Sequence, residues 1–406
     1  MEDASVNFVN PQELQQVTQT GKVGRFSSLD KKYVIAGVCV GLVVVASVLI
    51  LTRLESSKLW NERNSIFGQL AKTNPGDETK ESEKNIVNAL TGVEYTEEES
   101  KDWKDLRPLG VMINNHQDAR PQAGLIDAEF TYEIVAEGGI TRFLAFYQSV
   151  LPEKIGPIRS AREYYLVLAK EMGDAMLMHH GYSPQALVAI ETWPVRSLQR
   201  GAAPYWRENP RNVAIEHTLY ASGKEVVKKG LELGWEGKSA NFYVWQFKDD
   251  ATAYSAMPQA TTIAYDFWYP GDFSAEWTYD SATNDYFRFM GYDSVGKSVP
   301  HIDETTNQQL KVKNLIVQFA TETKIAGDDK NRLDYEFVGS GKGYVFIDGR
   351  AIEVTWSKAE RDARTKYYDM NGSEIRFNRG KFWVSVLPDR NPDFLKFSAE
   401  AAPKTN

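Results

Sequence analysis

The sequence contains almost no cysteine. One thiol, Cys39, is present among 406 residues, and it lies inside an apolar run. A single cysteine excludes a disulfide framework and a metal cluster held by several thiolates, and it fits either redox compartment. With 42% hydrophobic residues, the chain has enough apolar material to bury two ordinary cores and still leave a tail and a stalk.

An excess of positive charge is also missing. Lys and Arg number 47 against 55 Asp and Glu, so the formal net charge is −8. Non-specific binding to nucleic acid needs a basic surface. Nucleic acid is therefore not an expected partner, and the acidic balance is explained by solubility.

The common catalytic motifs are absent as well: the sequence has no nucleophile elbow, P-loop, HExxH motif or acidic magnesium cluster. Glu133 and Glu137, on a predicted strand, should point to one face roughly 13 Å apart, beyond the ~5 to 9.5 Å of a glycosidase carboxylate pair. The spacing of His116 and Asp118 is a weak metal signal, more typical of a turn. We predict no metal and no cofactor, and the sequence leaves open whether the protein is an enzyme.

One segment is long and apolar. Tyr33 to Thr52 carries no charge and as a helix would be about 30 Å long, which matches the hydrocarbon core of a bilayer. The polar residues 1–32 before it, and the lack of a small-residue cleavage site after it, argue against a signal peptide. Positive residues flank both sides, and the short tail favours a cytoplasmic N-terminus. We predict a single-pass membrane protein with its large domain outside.

The rest of the chain changes pattern along its length. Strands interspersed with helices give way to alternating strands and tight turns such as Asp348-Gly349. The fold class predicted is α+β. The predicted divisions are a disordered cytoplasmic tail 1–32, a transmembrane helix 33–52, a polar stalk 53–104, an α/β-type domain 105–240, a mainly antiparallel β domain 241–390 and a disordered tail 391–406.

The segment GPIRSAR, from Gly156 to Arg162, carries the clearest local signal. Ser160 and Glu163 have the spacing of a capping box, which predicts a helix that runs to about Met172. Arg159 and Arg162 flank this helix start. Unpaired N–H groups, the helix dipole and two guanidinium groups together predict an oxyanion site.

Two further segments should lie near this helix start. In EGGITR, Glu137 and Arg142 either form a structural salt bridge or contribute to the site, and Glu133 is the other acid available to Arg142. In HHGYSP, Ser183 is a helix cap, and His180 lies where a strand gives way to a helix, which is where ligands bind in open sheets. A hydrogen-bonded structural histidine is the alternative for His180. The predicted ligand-binding residues are Arg142, Arg159, Ser160, Arg162, His180, Glu137, His116 and Arg120.

Several segments resemble the YerB-like family of bacterial cell-envelope proteins. Those similar to its N-terminal domain are RPLGVMINNHQDARPQAGL (107–125), AEFTYEIVAEGGITRFLAFY (128–147), EKIGPIRSAR (153–162) and HHG (179–181). Those similar to its C-terminal domain are HIDETTNQQLKVKNLIVQ (301–318), VTWSK (354–358) and NGSEIRFNRGKFWVSVLP (371–388).

The resemblance covers roughly residues 105–390 and implies that both domains lie outside the membrane. Many members are lipoproteins, and the family has no established biochemical function. This chain departs from the family in having a membrane span instead of a lipid-modified cysteine. It also has His217-Thr218 where the family has a His-Asn pair, which bears on any role that needs the asparagine.

These observations favour a membrane-anchored, extracytoplasmic envelope protein that binds a phosphate- or carboxylate-bearing ligand at a helix N-terminus. One alternative is a scaffold whose β domain docks an envelope protein. The other is a phosphoryl or glycosyl-phosphate transferase, because arginine clamps stabilise such transition states. The missing catalytic motifs put this last alternative behind the other two.

Overall fold

The computed structural model describes residues 83–199, 204–237, 242–249, 253–293 and 295–399. The predicted tail 1–32 and transmembrane helix 33–52 lie outside these residues, as do most of the predicted stalk and residues 400–406 of the predicted C-terminal tail. The prediction of a disordered tail from residue 391 was wrong at Leu395–Ser398, which form a strand paired with Thr262–Tyr265. Within the described ranges, no helix has the length and apolar character needed to cross a membrane.

The described residues form four α-helices, four 3-10 turns and twenty-four strands, most of them short. The helices are α1 Glu97–Ser100, α2 Glu163–Glu171, α3 Pro184–Thr192 and α4 Gly223–Glu232, and the 3-10 turns are Gln117–Ala119, Leu125–Asp127, Ile215–His217 and Pro392–Phe394. The strands are β1 Ile86–Val87, β2 Glu94–Tyr95, β3 Leu109–Asn114, β4 Phe130–Glu137, β5 Ile140–Tyr147, β6 Met176–Met178, β7 Arg196–Leu198, β8 Trp206–Arg207, β9 Leu219–Tyr220, β10 Gln246–Lys248, β11 Thr262–Tyr265, β12 Ala275–Asp280, β13 Asp285–Tyr292, β14 Ser298–Pro300, β15 Lys311–Val312, β16 Asn314–Ala320, β17 Glu322–Lys324, β18 Leu333–Tyr335, β19 Gly339–Ile347, β20 Arg350–Lys358, β21 Lys366–Asp369, β22 Arg376–Asn378, β23 Phe382–Pro388 and β24 Leu395–Ser398. The α+β class is confirmed, with β structure dominant.

A ten-stranded sheet forms the centre, in the order β21-β20-β19-β16-β23-β4-β5-β3-β6-β7. Its middle strand β23 pairs in parallel with β16 on one side and with β4 on the other. Strands from both predicted domains, 105–240 and 241–390, therefore share one sheet. The boundary between those ranges stays a prediction, and the β-rich character of the second range is confirmed.

The second large sheet is antiparallel, with the order β14-β13-β12-β11-β24 and with β15 also paired to β13. It packs against one face of the central sheet, while α2 covers the other. Successive side chains of β4 point to opposite faces of the sheet and make both contacts. The Tyr132 hydroxyl donates to Glu171 of α2, and Glu133 accepts from Arg288 of β13.

The hairpin that joins β4 to β5 corrects one prediction. Gly138 and Gly139 both have positive φ, as the central residues of a type I′ turn require. The register shifts between Val135 and Glu137, so the strand carries a bulge just before the turn. Because the bulge interrupts the alternation, Glu137 lies on the face of Arg142 and Glu133 lies on the opposite face. The expectation that the two acids share a face was wrong.

Helix α2 also begins later than predicted. Its N-cap is Arg162, without a side-chain capping bond, so the capping box of Ser160 and Glu163 does not form. The Ala161 N–H donates to the Gly181 carbonyl, and its own carbonyl accepts from the Ser183 N–H, so the backbone remains extended there. The predicted end is confirmed, since the helix stops at Glu171 and Gly173 has φ of 70°.

A fully buried ion pair joins the two large sheets. Arg288 donates to the Glu133 carboxylate at 2.7 Å, and both side chains are 0% exposed. The guanidinium lies 4.5 Å from the ring centroid of Trp383, whose indole N–H also donates to Glu133. Burying two charges is costly unless each is compensated in this way.

We expect Arg288→Met to destabilise the protein by about 3 to 5 kcal/mol, because it leaves the Glu133 charge buried without its cation. The double variant Glu133→Gln with Arg288→Met should lose about 1 to 3 kcal/mol less stability than the sum of the losses of the two single variants. The free energy of unfolding, from urea denaturation of all four proteins, checks this. Strictly additive losses would show that the pair does not act as a unit.

Candidate functional site

Polar side chains gather at the carboxyl edge of the parallel strands β3 and β6, which is the edge predicted from the sequence. The loop after β3 begins with Asn115, and the loop after β6 begins with His179. Between them, the Arg159 N–H donates to Met112 and the His180 N–H donates to Arg159. These backbone bonds hold the 156–162 segment across the end of the sheet.

Gly181 fixes the close approach of the two loops. Its φ is 90°, and a Cβ atom at this position would lie 2.9 Å from the Ser160 hydroxyl. Any other residue would meet both backbone strain and a clash. Ser160 therefore packs against the HHG turn, and its carbonyl accepts a 2.8 Å bond from Arg142.

Two of the predicted arginines share an internal partner. One carboxylate oxygen of Glu137 lies 2.7 Å from a guanidinium nitrogen of Arg142. The other carboxylate oxygen is paired with the guanidinium of Arg162. Each arginine side chain is only 8% exposed. The salt bridge between Glu137 and Arg142 that the sequence left open is thus present, and this carboxylate occupies the place where an external anion was expected.

Arg159 is placed differently. Its side chain is 30% exposed, and its nearest acid is Glu216 at 3.9 Å, beyond hydrogen-bonding distance. Burial, and then the nearby Arg142, lower the pKa of the Arg159 guanidinium. The positive potential around this side chain is therefore only partly compensated by the protein itself.

A stacked histidine pair lies next to Arg159. The ring centroids of His116 and His217 are 4.5 Å apart, and the rings are inclined by 19°. Burial, followed by the proximity of His116 and Arg159, lowers the pKa of His217. The neutral form of His217 is accordingly favoured.

Local donors fix the tautomers of both rings. The Asp118 N–H donates to His116 Nδ1 at 3.2 Å, and the Asn114 amide lies 2.8 Å from His217 Nδ1. Asn114 Oδ1 accepts a hydrogen bond from the backbone N–H of His116. The side-chain amide nitrogen of Asn114 is therefore the atom that faces His217. The neutral form of each ring that fits these bonds carries its proton on Nε2, and no acceptor within the described residues is hydrogen-bonded to either Nε2–H.

The donor set bears directly on metal binding. One ligand atom from each of His116, Asp118 and His217 lies within 4.8 Å of the other two. A metal needs a free lone pair on each imidazole, and here both Nδ1 lone pairs are already occupied by N–H donors. As they stand, the rings offer donors to an acceptor rather than ligands to a cation. That the protein holds no metal stays a prediction.

The loop over residues 204–218 completes this surface. Arg207 donates to Thr218 Oγ1 at 3.2 Å and lies 3.4 Å from His180 Nε2. Thr218 also donates to the Ile215 carbonyl and so closes the 3-10 turn that carries His217. We define the carboxyl-edge cluster as His116, Asp118, Arg159, His180, Arg207, Glu216 and His217.

Arg120 lies beside the cluster but performs a structural task. Its guanidinium donates to the carbonyl and side-chain oxygens of Asn115 at 3.1 to 3.2 Å and lies over the Phe273 ring. Burial, and then the charge of Arg288, lower the pKa of Arg120 to about 10. It lines a cavity of 390 Å³ together with His301.

The loop that carries His116 is tied to the buried ion pair. The Asn115 amide donates to Thr141 at 2.7 Å, and Thr141 in turn donates to Glu133. Gln122 donates to Asn115 and accepts from His301, whose other ring nitrogen accepts from Arg288. Burial, followed by the charge of Arg288, lowers the pKa of His301 far below its ordinary value, so the ring is neutral.

Sequence reasoning did not identify Arg207, Glu216 and His217 as parts of a site. They lie about a hundred residues beyond His116 in the chain, and no local spacing connects the two segments. The departure from the family at His217-Thr218 was the one signal that pointed to this region.

His179 is a structural histidine with a testable pH dependence. Its ring bonds the Gly181 carbonyl at 2.8 Å and the Ser197 hydroxyl at 2.7 Å. Burial lowers its pKa from 6.5 to about 4. Between these values the unfolded chain binds the proton and the folded protein does not, so stability is lost as the pH falls.

We expect His179 alone to remove about 2 kcal/mol of stability as the pH falls from about 6.5 to about 4.5. Urea denaturation across this range, for the wild type and His179→Gln, measures the effect. The variant should show a shallower pH dependence. An unchanged slope would mean that the ring is already charged in the folded protein.

Known proteins are similar to this chain in both sequence and fold. Two family models match: the "Protein of unknown function (DUF3048) N-terminal domain" over residues 90–236 and the corresponding C-terminal domain over residues 263–384. "Putative lipoprotein YerB" of Bacillus subtilis (strain 168) is 30% identical over 333 residues, which are 80% of this chain and 93% of that protein. A crystal structure of the YerB protein from Bacillus subtilis is 29% identical with a TM-score of 0.64, and the match covers 77% of this chain and 100% of that chain. The chain therefore belongs to the YerB-like family, whose two domains are both described as being of unknown function.

Proposed function

We propose that this protein is a membrane-associated, extracytoplasmic envelope protein that binds an oxyanion at the carboxyl-edge cluster. The relative from Bacillus subtilis carries the name of a lipoprotein, which supports a position at the outer side of a membrane. In this chain the predicted span 33–52 would serve as the anchor, with the N-terminus in the cytoplasm.

The placement of Arg159 carries the proposal. Arg142 and Arg162 share the Glu137 carboxylate, whereas Arg159 is partly exposed and, among the described residues, is paired only with Glu216 at 3.9 Å. A guanidinium with free N–H groups binds phosphate or carboxylate through paired, charge-assisted hydrogen bonds. The ligand would thus bind outside the start of α2, rather than at the helix N-terminus.

The histidine pair supplies further donors of the same kind. His116 and His217 both direct their Nδ1 atoms to N–H groups of the protein, and both keep an N–H at Nε2. The nearby acids Glu216 and Asp118 are exposed, so solvent screens their repulsion of a bound anion. Tetrahedral oxyanions such as phosphate, which accept several hydrogen bonds at once, fit this donor set best.

Inorganic phosphate, titrated into the full chain while the ring protons of His116 and His217 are followed by NMR, tests the proposal. We expect a saturable shift and a loss of about tenfold or more in affinity for Arg159→Gln, because one charge-assisted contact is worth about 1.5 kcal/mol or more. The control is Arg376→Gln, which removes an exposed arginine on β22 outside the cluster and should bind like the wild type.

The pH dependence separates this proposal from a metal site. Protonation of His217 adds a positive charge, so sulfate, whose own charge does not change in this range, should bind more tightly as the pH falls toward the lowered pKa of this ring. Metal ligation would weaken over the same range, because protons compete for the ring nitrogens. A saturable response to Zn²⁺ but not to phosphate would overturn the proposal. A scaffold role is favoured if neither probe shifts the ring signals.

A further inference from the structure

A second cationic group lies far from the cluster, beyond the opposite end of α2. Arg364 is 4% exposed, and none of its three guanidinium nitrogens has a hydrogen-bond partner within the described residues. Buried polar groups are nearly always paired, and an unpaired buried charge is more costly still. This side chain is the strongest exception that the structure offers.

Aromatic rings hold the guanidinium in place. It lies 4.1 Å from the ring centroid of Trp245, and the rings of Phe242 and Phe130 lie 5.2 and 5.4 Å away. Cation–π attraction offsets part of the cost of burial. It satisfies none of the N–H groups, which stay without an acceptor among the described residues.

The nearest buried acid is already engaged. Glu171 accepts from Lys358 at 2.7 Å and from Thr365 at 2.8 Å, and the Tyr132 hydroxyl donates to its other oxygen. Glu171 and Lys358 are both 0% exposed, so their charges cancel inside the protein. Arg364 is thus the surplus positive charge of this buried group.

Arg364 also lines a cavity of 580 Å³. Lys366 and the Tyr243 ring, with the lysine Nζ 3.9 Å from the ring centroid, line the same cavity. Glu360 and Asp362 line it as well, and both are exposed. Asp362 is already paired with Arg361 at 2.8 Å and with Lys170 at 3.6 Å. The cavity therefore joins a buried cationic group to carboxylates that lie nearer to solvent.

We propose that this cavity binds a small zwitterion, such as an amino acid or the end of a peptide, through its carboxylate at Arg364 and its ammonium group at Glu360. A planar carboxylate matches the paired N–H groups of the guanidinium. Because the nitrogens are covered in the ligand-free protein, binding includes a small outward turn of Arg364 from the Trp245 ring. This site is independent of the carboxyl-edge cluster, so its success or failure does not decide the phosphate proposal.

Isothermal titration calorimetry of the full chain with glycylglycine, and separately with acetate, tests the inference. We expect the wild type to bind glycylglycine at least tenfold more tightly than acetate, since acetate lacks the ammonium group. Arg364→Gln should abolish both heats. The control is Arg376→Gln, because Arg376 is exposed on β22 and does not line the cavity; it should retain binding.

Thermal unfolding distinguishes a binding role of Arg364 from a purely structural role. Under the proposal, Arg364→Gln folds with an unchanged or higher Tm, because it removes a buried charge that lacks an acceptor. Arg159→Gln should bind glycylglycine like the wild type, which distinguishes the two sites. The inference is overturned if the wild type binds neither probe, or if Arg364→Gln lowers the Tm while glycylglycine still binds.

Discussion

The structure depends on one buried charge pair, Glu133 with Arg288. Glu133 lies at the middle of the central sheet, and Arg288 belongs to the second sheet, so the pair fixes how the two layers meet. Aromatic rings and an indole N–H surround the pair and compensate for the missing water. Apolar side chains alone would allow the layers to slide, whereas a hydrogen-bonded ion pair has a single favourable register.

The same pair orders the loop next to the candidate site. Glu133 is bonded through Thr141 to Asn115, and Asn115 is held by Arg120 and Gln122. The next residue, His116, thereby gains a fixed backbone, and its ring can stack on His217. A polar network in the core thus positions donors at the surface, about one strand length away.

Local patterns predicted local structure well. The cap at Ser183 with Pro184, the glycine after α2 and the Asp348-Gly349 turn all form as their residue types indicate. Each depends on bonds between residues a few positions apart, which a sequence shows directly. The capping box at Ser160 failed because a more distant segment, residues 180–183, takes the backbone bonds of that stretch.

Long-range pairing could not be predicted in this way. The bulge before Gly138 moved Glu137 to the other face, and alternation along the strand gives no sign of it. Glu133 pairs with Arg288, His116 with His217 and Glu171 with Lys358, and each of these partners lies more than a hundred residues away along the chain. The sequence therefore predicted that the site residues lie near one another. It could not predict which of them are paired with an acid of the protein, because those pairs depend on the tertiary structure.

The position of β23 has a consequence for how the chain is made. It is synthesised after both β16 and β4, yet it is inserted between them in the middle of the sheet. Until it emerges, β4 has a free edge able to pair with other chains. A nascent chain of this design must therefore be shielded from its neighbours until β23 has been synthesised.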